Sequence, residues 1–253
     1  YSDKNEIYES VESEWKIDKP IGKSNIKFRN GNFYSGEIKW ENNEPIMNGK
    51  GIFESPTESY EGNYQNNIKN GYGITTFKVN SVKYTGNYET GSMSGYGELY
   101  TFLKDLKNKF IPSFPILIKS IWKNNKPFSE TMYQVNNLLF TGDLVNNSGK
   151  CYEGYCKSVI DPHNNKKIYE GNILNFQYHG WGTIFTEDPL LGKMELYSEN
   201  KMGIPNYSNI KITTNKLTFE GVINDSDTFT GYGEIIYSES GEKYYGPIEH
   251  LSP

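Results

Sequence analysis

The chain has 253 residues, a formal net charge of −5 and no alanine, but 25 glycines, 21 tyrosines and 13 phenylalanines. The acidic surplus excludes a generic binder of nucleic acid or anionic lipid. Apolar runs such as Ile116-Leu117-Ile118 are far too short for a helix to cross a bilayer. Alanine is the best helix former, whereas aromatic and β-branched residues suit strands and Gly and Asn suit turns, so the composition reads as all-β. Two cysteines, Cys151 and Cys156, do not make a disulfide framework, and a reducing, cytoplasmic compartment is expected. No secretory leader is visible. The abundance of asparagine reads as coding bias without a function. Basic and acidic residues number 17 and 15 in residues 1–126 but 9 and 16 in 127–253, so the second half is expected to face solvent or a basic partner.

Along the chain one phrase returns: aromatic–x–Gly, then about ten residues later small–Gly–x–Gly. A first unit is marked by Trp15-Lys16-Ile17-Asp18-Lys19-Pro20. The second opens at Tyr34 with Gly36 and carries Trp40-Glu41-Asn42-Asn43-Glu44-Pro45. Then come Tyr60-Glu61-Gly62 with Asn70-Gly71-Tyr72-Gly73, and Tyr84-Thr85-Gly86 with Ser94-Gly95-Tyr96-Gly97. Trp122-Lys123-Asn124-Asn125-Lys126-Pro127 repeats the Trp phrase in a long gap, and Phe140-Thr141-Gly142 follows. Tyr169-Glu170-Gly171 closes with His179-Gly180-Trp181-Gly182. Tyr197-Ser198-Glu199-Asn200-Lys201 echoes the Trp phrase. Phe219-Glu220-Gly221 closes with Thr230-Gly231-Tyr232-Gly233, and Tyr245-Gly246 reads as a truncated last copy. Counting back six residues from each Trp-type phrase places hidden starts at Glu9, Ile116 and Leu191. The chain then parses into ten units over 1–253, a single continuous array. It has an insertion near 101–115 and a stretched loop near 151–167.

Each unit reads as a hairpin. Aromatic–x–Gly–x–aliphatic alternates like a strand, the Asn- and Gly-rich insert tolerates positive φ as a turn must, and Gly–x–Gly is a second strand. Its bare backbone leaves room for aromatic rings of neighbouring units. One hairpin buries too little to fold alone, and a row of them shares contacts.

These residues resemble the MORN (membrane occupation and recognition nexus) repeat, roughly Tyr–x–Gly–x–(Trp/Phe)–x–x–Gly–x–x–x–Gly–x–Gly. The units at Tyr60, Tyr84, Tyr169 and Phe219 match its opening and closing glycines. The period here is longer and uneven, near 26, where the family's is about 23. The mid-unit Gly is mostly replaced by Asn-containing turns, and the units at Ile116 and Leu191 have lost Gly–x–Gly. The resemblance implies an elongated, twisted antiparallel array of β-hairpins with a groove on one face. It also implies a non-catalytic scaffold for other proteins, cytoskeleton- or membrane-associated. One alternative it leaves open is a membrane tether that binds acidic phospholipid. Another is an accessory module of a larger enzyme such as a lipid kinase. Self-association through sheet edges fits the same architecture.

The candidate sites are few. Phe102, Leu103, Leu106 and Phe110 are spaced like one face of a short helix with Lys104, Lys107 and Lys109 among them. That pattern suits a basic amphipathic element for lipid or an acidic partner, or else an insertion packed on the sheet. Trp15, Trp40 and Trp122 are interaction anchors if exposed, and packing residues of the repeat, the favoured reading, if buried. Cys151, Cys156 and His163 lack zinc-site spacing and a fourth ligand, so no metal is expected. His179 fills a turn position. No nucleophile elbow or metalloprotease motif occurs, and Gly–x–Gly opens no helix, so no cofactor is expected. Glu61, Glu98, Glu170 and Glu220 recur with the repeat, unlike a catalytic group, which is unique.

Overall fold

The computed structural model describes residues 7–103, 114–146 and 152–252. They form nineteen strands, and among the described residues there is no helix. The first ten are β1 (Tyr8–Lys16), β2 (Lys19–Phe28), β3 (Phe33–Glu41), β4 (Glu44–Glu54), β5 (Glu58–Gln65), β6 (Ile68–Phe77), β7 (Val82–Glu89), β8 (Ser92–Leu103), β9 (Phe114–Lys123) and β10 (Lys126–Val135). The rest are β11 (Leu138–Asn146), β12 (Tyr152–Asp161), β13 (Lys166–Leu174), β14 (Gln177–Asp188), β15 (Gly192–Lys201), β16 (Ile204–Thr214), β17 (Leu217–Asp225), β18 (Thr230–Tyr237) and β19 (Lys243–Ile248). Consecutive strands pair antiparallel, so the fold is the all-β array of repeated hairpins that the sequence implies. The strands group into two compact units. Unit 1 takes in the described residues up to Phe102 together with Pro115–Met132, and unit 2 Leu103, Phe114 and those from Tyr133 on.

Two-residue turns close most hairpins, and both turn residues are left-handed. Asn42 and Asn43 have φ of 52° and 65°, Asn66 and Asn67 52° and 67°, and Asn124 and Asn125 50° and 64°. This is the turn whose twist matches antiparallel strands, and Asn tolerates it better than most residues. The second asparagine has a further role. The Asn67 backbone N–H bonds Met47 O (2.9 Å), and its side-chain Oδ1 accepts from the Met47 N–H (2.7 Å). Asn125 holds Met93 in the same way, and Asn175, the first residue of its turn, holds Tyr152. Each clamp ties a turn to the preceding hairpin, so asparagine here is structural, and coding bias does not account for it.

The opening aromatic and the glycines form one device. Tyr34, Tyr60, Tyr84, Tyr169 and Phe219 are fully buried, as is nearly all of Phe140. A Cβ at Gly73 would collide with the Tyr60 ring, and one at Gly97 with Tyr84. Gly51 lies under Tyr34, Gly182 under Tyr169 and Gly233 under Phe219. Each ring therefore lies on the glycine of its own hairpin, not on a neighbouring unit as expected. The opening glycines meet a different obstacle: a Cβ at Gly36, Gly62, Gly86, Gly171 or Gly221 would strike the Cα of the paired glycine. The phenols are satisfied locally, each donating to the carbonyl three residues on. Tyr34 reaches Glu37 (2.7 Å), Tyr60 Asn63 (2.9 Å), Tyr84 Asn87 (3.1 Å) and Tyr169 Asn172 (2.7 Å). Gly71 (φ 82°), Gly95 (φ 66°) and Gly180 (φ 70°) occupy the left-handed bulge before the second glycine, a conformation that costs glycine little.

Register corrects the hidden starts. Tyr244, not Tyr245, donates to the carbonyl three residues on (Pro247, 2.9 Å), and Tyr244–Tyr245–Gly246 is the true phrase. Gly182 pairs Ser198 as Gly73 pairs Gly86, so the unit expected at Leu191 starts at Leu196. The Trp phrase marks the turn, not the start: Trp15 pairs Pro20 and Trp40 pairs Pro45 across it. The β3–β4 hairpin has two extra residues between glycine and turn, so counting back six overshoots elsewhere. The starts expected at Glu9 and Ile116 move to Val11 and Ile118. In both, the glycine pair becomes a hydroxyl pair: Ser13 with Ser24 and Ser120 with Thr131, each at 2.8 Å. An aliphatic side chain does not reach over the paired strand, so a Cβ fits there.

The stretch 151–167 carries a strand, β12, where a loop was expected. Gly142 pairs Cys156, which takes the second glycine's place opposite the shorter Phe140. Of the insertion near 101–115, Phe102 lies in β8 against Tyr100, with ring centroids 5.3 Å apart, so the helical spacing fails at its first residue. Leu106, Phe110, Lys104, Lys107 and Lys109 lie outside the described residues, as does Cys151.

In unit 1 the rings form a continuous edge-to-face run, Tyr34–Tyr64–Tyr60–Tyr88–Tyr84–Trp122, with centroids 5.1–5.5 Å apart and planes at 82–89°. Each such contact adds about 0.5–1.5 kcal/mol beyond burial. In unit 2, Phe176 gathers Tyr133, Phe140 and Tyr152, and a mainly aliphatic core around Phe219 follows from Met194 to Leu251.

Chemical denaturation will test the ring–glycine device. Gly73→Ser is expected to destabilise by about 1–3 kcal/mol through overpacking, and Tyr60→Val by a similar or larger amount through a cavity. The double variant should recover a coupling of about 0.5–3 kcal/mol. Strict additivity would refute the device.

Candidate interaction surface

Strand alternation puts the middle residue of Gly–x–Gly on the face opposite the buried ring. Tyr72 is 56% exposed, Tyr96 58%, Trp181 42% and Tyr232 48%, against 0% for Tyr60, Tyr84, Tyr169 and Phe219 in the same hairpins. Each unit thus has an aromatic face that folding occupies and an opposite, open face that carries aromatics in contact with solvent.

In unit 1 the open face dips into a concavity of about 400 Å³ across β2 to β6, lined by Lys23, Lys50, Ile52, Glu61, Tyr72 and Ile74 around the bare backbone of Gly36, Gly51 and Gly62. Farther along the unit, Glu98 of β8 pairs with Lys119 of β9 (3.1 Å). In unit 2, Trp181 stacks on Tyr197 (5.3 Å, 26°), and Tyr232 meets Tyr245 edge-on (5.2 Å, 83°). Glu170 accepts from Lys167 and from the Tyr155 phenol (2.6 Å). These bonds hold its carboxyl below the usual range and raise the Tyr155 phenol. Glu220 pairs with Lys211 and Glu234 with Lys243. Such exposed pairs contribute about 0–1 kcal/mol each and serve mainly to keep the face polar between the rings.

The candidate tryptophans separate. Trp122 is buried, its Nε1 donating to Gly97 O (2.9 Å), and so is no anchor. Trp40 is half-buried and meets the exposed Trp15 edge-on at 5.0 Å. Cys156 is buried, and burial pushes its thiol up to about 11. His163 lies exposed in a turn where its N–H bonds Asp161 Oδ1 (2.9 Å). Among the described residues no three His, Cys, Asp or Glu side chains converge as a metal set. The side chains missed by sequence reasoning are Tyr64 and Tyr88, which link the rings of unit 1, and the open-face aromatics. The signal for the latter was the parity of Gly–x–Gly: flanking positions pressed under a ring leave the middle one facing away. No protein-family model matches the sequence, and no curated protein matches it.

Burial raises the phenols of Tyr34, Tyr60, Tyr64, Tyr84 and Tyr169 above the ordinary tyrosine value, and those of Tyr88 and Tyr133 to about 12. An acid whose folded pKa is raised stays protonated in the folded state and ionises first in the unfolded chain. Its stabilisation is complete below about pH 10, the unfolded value, and is lost as pH rises through the folded value. Urea midpoints should therefore hold up to about pH 10 and then fall steeply. Phenolate absorbance from the buried rings should appear only with unfolding. A midpoint unchanged to pH 12 would contradict this.

Proposed function

We propose that the chain is a non-catalytic scaffold of the MORN kind, which binds other proteins through its open faces. The observation that carries this reading is the exposed aromatic repeated at the centre of Gly–x–Gly in the four complete units: Tyr72, Tyr96, Trp181 and Tyr232. The fold explains why the residues on either side are glycine, but it needs no aromatic between them. Large, rigid rings in contact with water are the side chains most enriched at binding hot spots. Three of the four carboxylates that recur with the repeat, Glu98, Glu170 and Glu220, are paired to lysines, which supports a recognition surface over general acid or base work.

The test compares the native protein with Tyr72→Ser/Tyr96→Ser and Trp181→Ser/Tyr232→Ser. Open surface substitutions move stability by about 0.5 kcal/mol or less, so Tyr72→Ser/Tyr96→Ser should melt near the native temperature. Trp181→Ser/Tyr232→Ser also loses the ring contacts to Tyr197 and Tyr245, about 0.5–1.5 kcal/mol each, and should melt lower but still cooperatively. Partners captured from native cells by the parent should be lost by about tenfold or more in at least one variant, since hot-spot rings contribute about 2 kcal/mol or more each. Undiminished capture by both variants would sink the open-face reading.

A further inference from the structure

In unit 2 the ladder between β16 and β17 stops early. It runs from Thr213↔Thr218 to Ile210↔Gly221 and no further. Continued in register, Asn209, Ser208, Tyr207 and Asn206 would face Val222, Ile223, Asn224 and Asp225. On its other side, β16 pairs Pro205 with Asn200 and Ile210 with Ser198, so Asn206–Asn209 bulge against the single residue Glu199. A regular unit spans this stretch with one residue fewer and a left-handed glycine, as Gly95 does between Met93 and Gly97. Here Gly–x–Gly is absent and the bulge stays wide. The turn clamp that holds Met47, Lys69 and Met93 is missing as well: among the described residues no backbone hydrogen bond ties Ile204–Asn209 to β17 or its turn.

Beside this edge lies a cleft of about 450 Å³ lined by His179, Glu199, Asn200, Lys201, Ile204 and Asn206. Counted from Leu196, Asn200 stands where the regular units have the rings of Tyr64 and Tyr88. It is 2% exposed. Among the described residues, the buried side-chain atoms without a partner are His179 Nδ1, Ser198 Oγ and Asn200 Oδ1, all at this place. Each unpaired buried group costs about 1–3 kcal/mol, and an unmet cost of this size calls for an explanation. The lining itself is balanced, Glu199 against Lys201, but the half of the chain that carries it is acidic, with 16 Asp and Glu against 9 Lys and Arg in residues 127–253. Ile204, 67% exposed, adds an apolar contact.

We propose that this open edge binds an extended, basic segment of a partner protein as an added strand along Asn206–Asn209, with one group of the segment entering the cleft toward the Asn200 carboxamide. Strand addition draws affinity from backbone hydrogen bonds and specificity from alternate side chains, and both are on offer here. The proposal rests on the scaffold reading and gives one of its partners a chemistry, at a place apart from the open-face aromatics.

The experiment has two arms. Hydrogen exchange of the free protein should show fast amides at Asn206 and Ser208, which lie in phase with Ile210 and Ile212 on the β17 side, beside protected ones at those two isoleucines. The Ser208 N–H meets only the exposed Asn206 side chain (3.0 Å), so protected amides at Asn206 and Ser208 would overturn the proposal. A random nonapeptide library should yield Lys- or Arg-rich binders that slow those amides. The best binder should weaken about tenfold on N-methylation at alternate residues, and about tenfold against Asn200→Leu. Because N-methylation alters only the peptide, a folding defect in the variant cannot imitate that result. No peptide binding below about 1 mM, or binding indifferent to N-methylation, would overturn the proposal. Tyr72→Ser/Tyr96→Ser should bind the peptide as the parent does. If those variants capture partners undiminished while peptides still bind here, the open-face reading falls and this site stands.

Discussion

The structure depends on one contact: an aromatic ring laid flat on the bare backbone of its own hairpin. The ring of Tyr60 needs Gly73 beneath it, and Gly62 must let the paired strand come close. The phenol needs an acceptor, and the carbonyl of Asn63 supplies one three residues on. These demands fix two glycines, one aromatic and the register Gly62↔Gly73 in a single step. A repeat can then propagate, since every hairpin carries its own core. Tyr64 and Tyr88 join successive cores edge to edge, so the cost of ordering each hairpin is offset partly by its neighbour.

Much of this was legible in the sequence, because glycines that fit under a ring cannot be substituted quietly. Tyr60, Gly62, Gly71 and Gly73 announce both strand and bulge. The paired asparagines announce the turn. Their second role was not legible, since Asn67 reaches Met47 on another hairpin and local spacing carries no record of that partner. The starts displaced to Glu9 and Ile116 share one cause. The Trp phrase belongs to the turn, and the β3–β4 hairpin used to calibrate it is two residues longer than its fellows. Where the ring is lost, at Val11 and Ile118, the glycines are replaced by hydroxyl pairs, so the motif disappears while the geometry persists.

The same device divides the faces. Residues on the ring side are committed to packing, and their chemistry is spent inside the fold: buried phenols, the thiol of Cys156, the indole of Trp122. The residue between the glycines points away and is free of that constraint. Tyr72 and Tyr96 are large where a serine would serve the fold equally well, and Trp181 and Tyr232 add no more than a ring contact on the open face, with Tyr197 and Tyr245. That contrast between a constrained and an unconstrained position in one tripeptide supports the binding reading more strongly than exposure of any single ring.

The degenerate units divide into two kinds, and the difference lies in compensation. Val11 and Ile118 lose the ring, but the strands still close through Ser13–Ser24 and Ser120–Thr131. At Leu196 the opening position keeps its serine, but the partner across the ladder is Ile210, and Ser198 Oγ has no bond. Asn200 then takes the place of a linking ring with one side-chain atom unpaired, and β16 carries no glycine to close its bulge. Three departures within one hairpin leave polar groups unmatched; the short ladder alone does not set it apart, since β2–β3 also ends at Ser24↔Gly36, but there the Ser24 hydroxyl is paired. Drift in a repeat tends to remove contacts singly. A cluster of unbalanced changes around one cleft is better explained by a group from outside the chain that completes them.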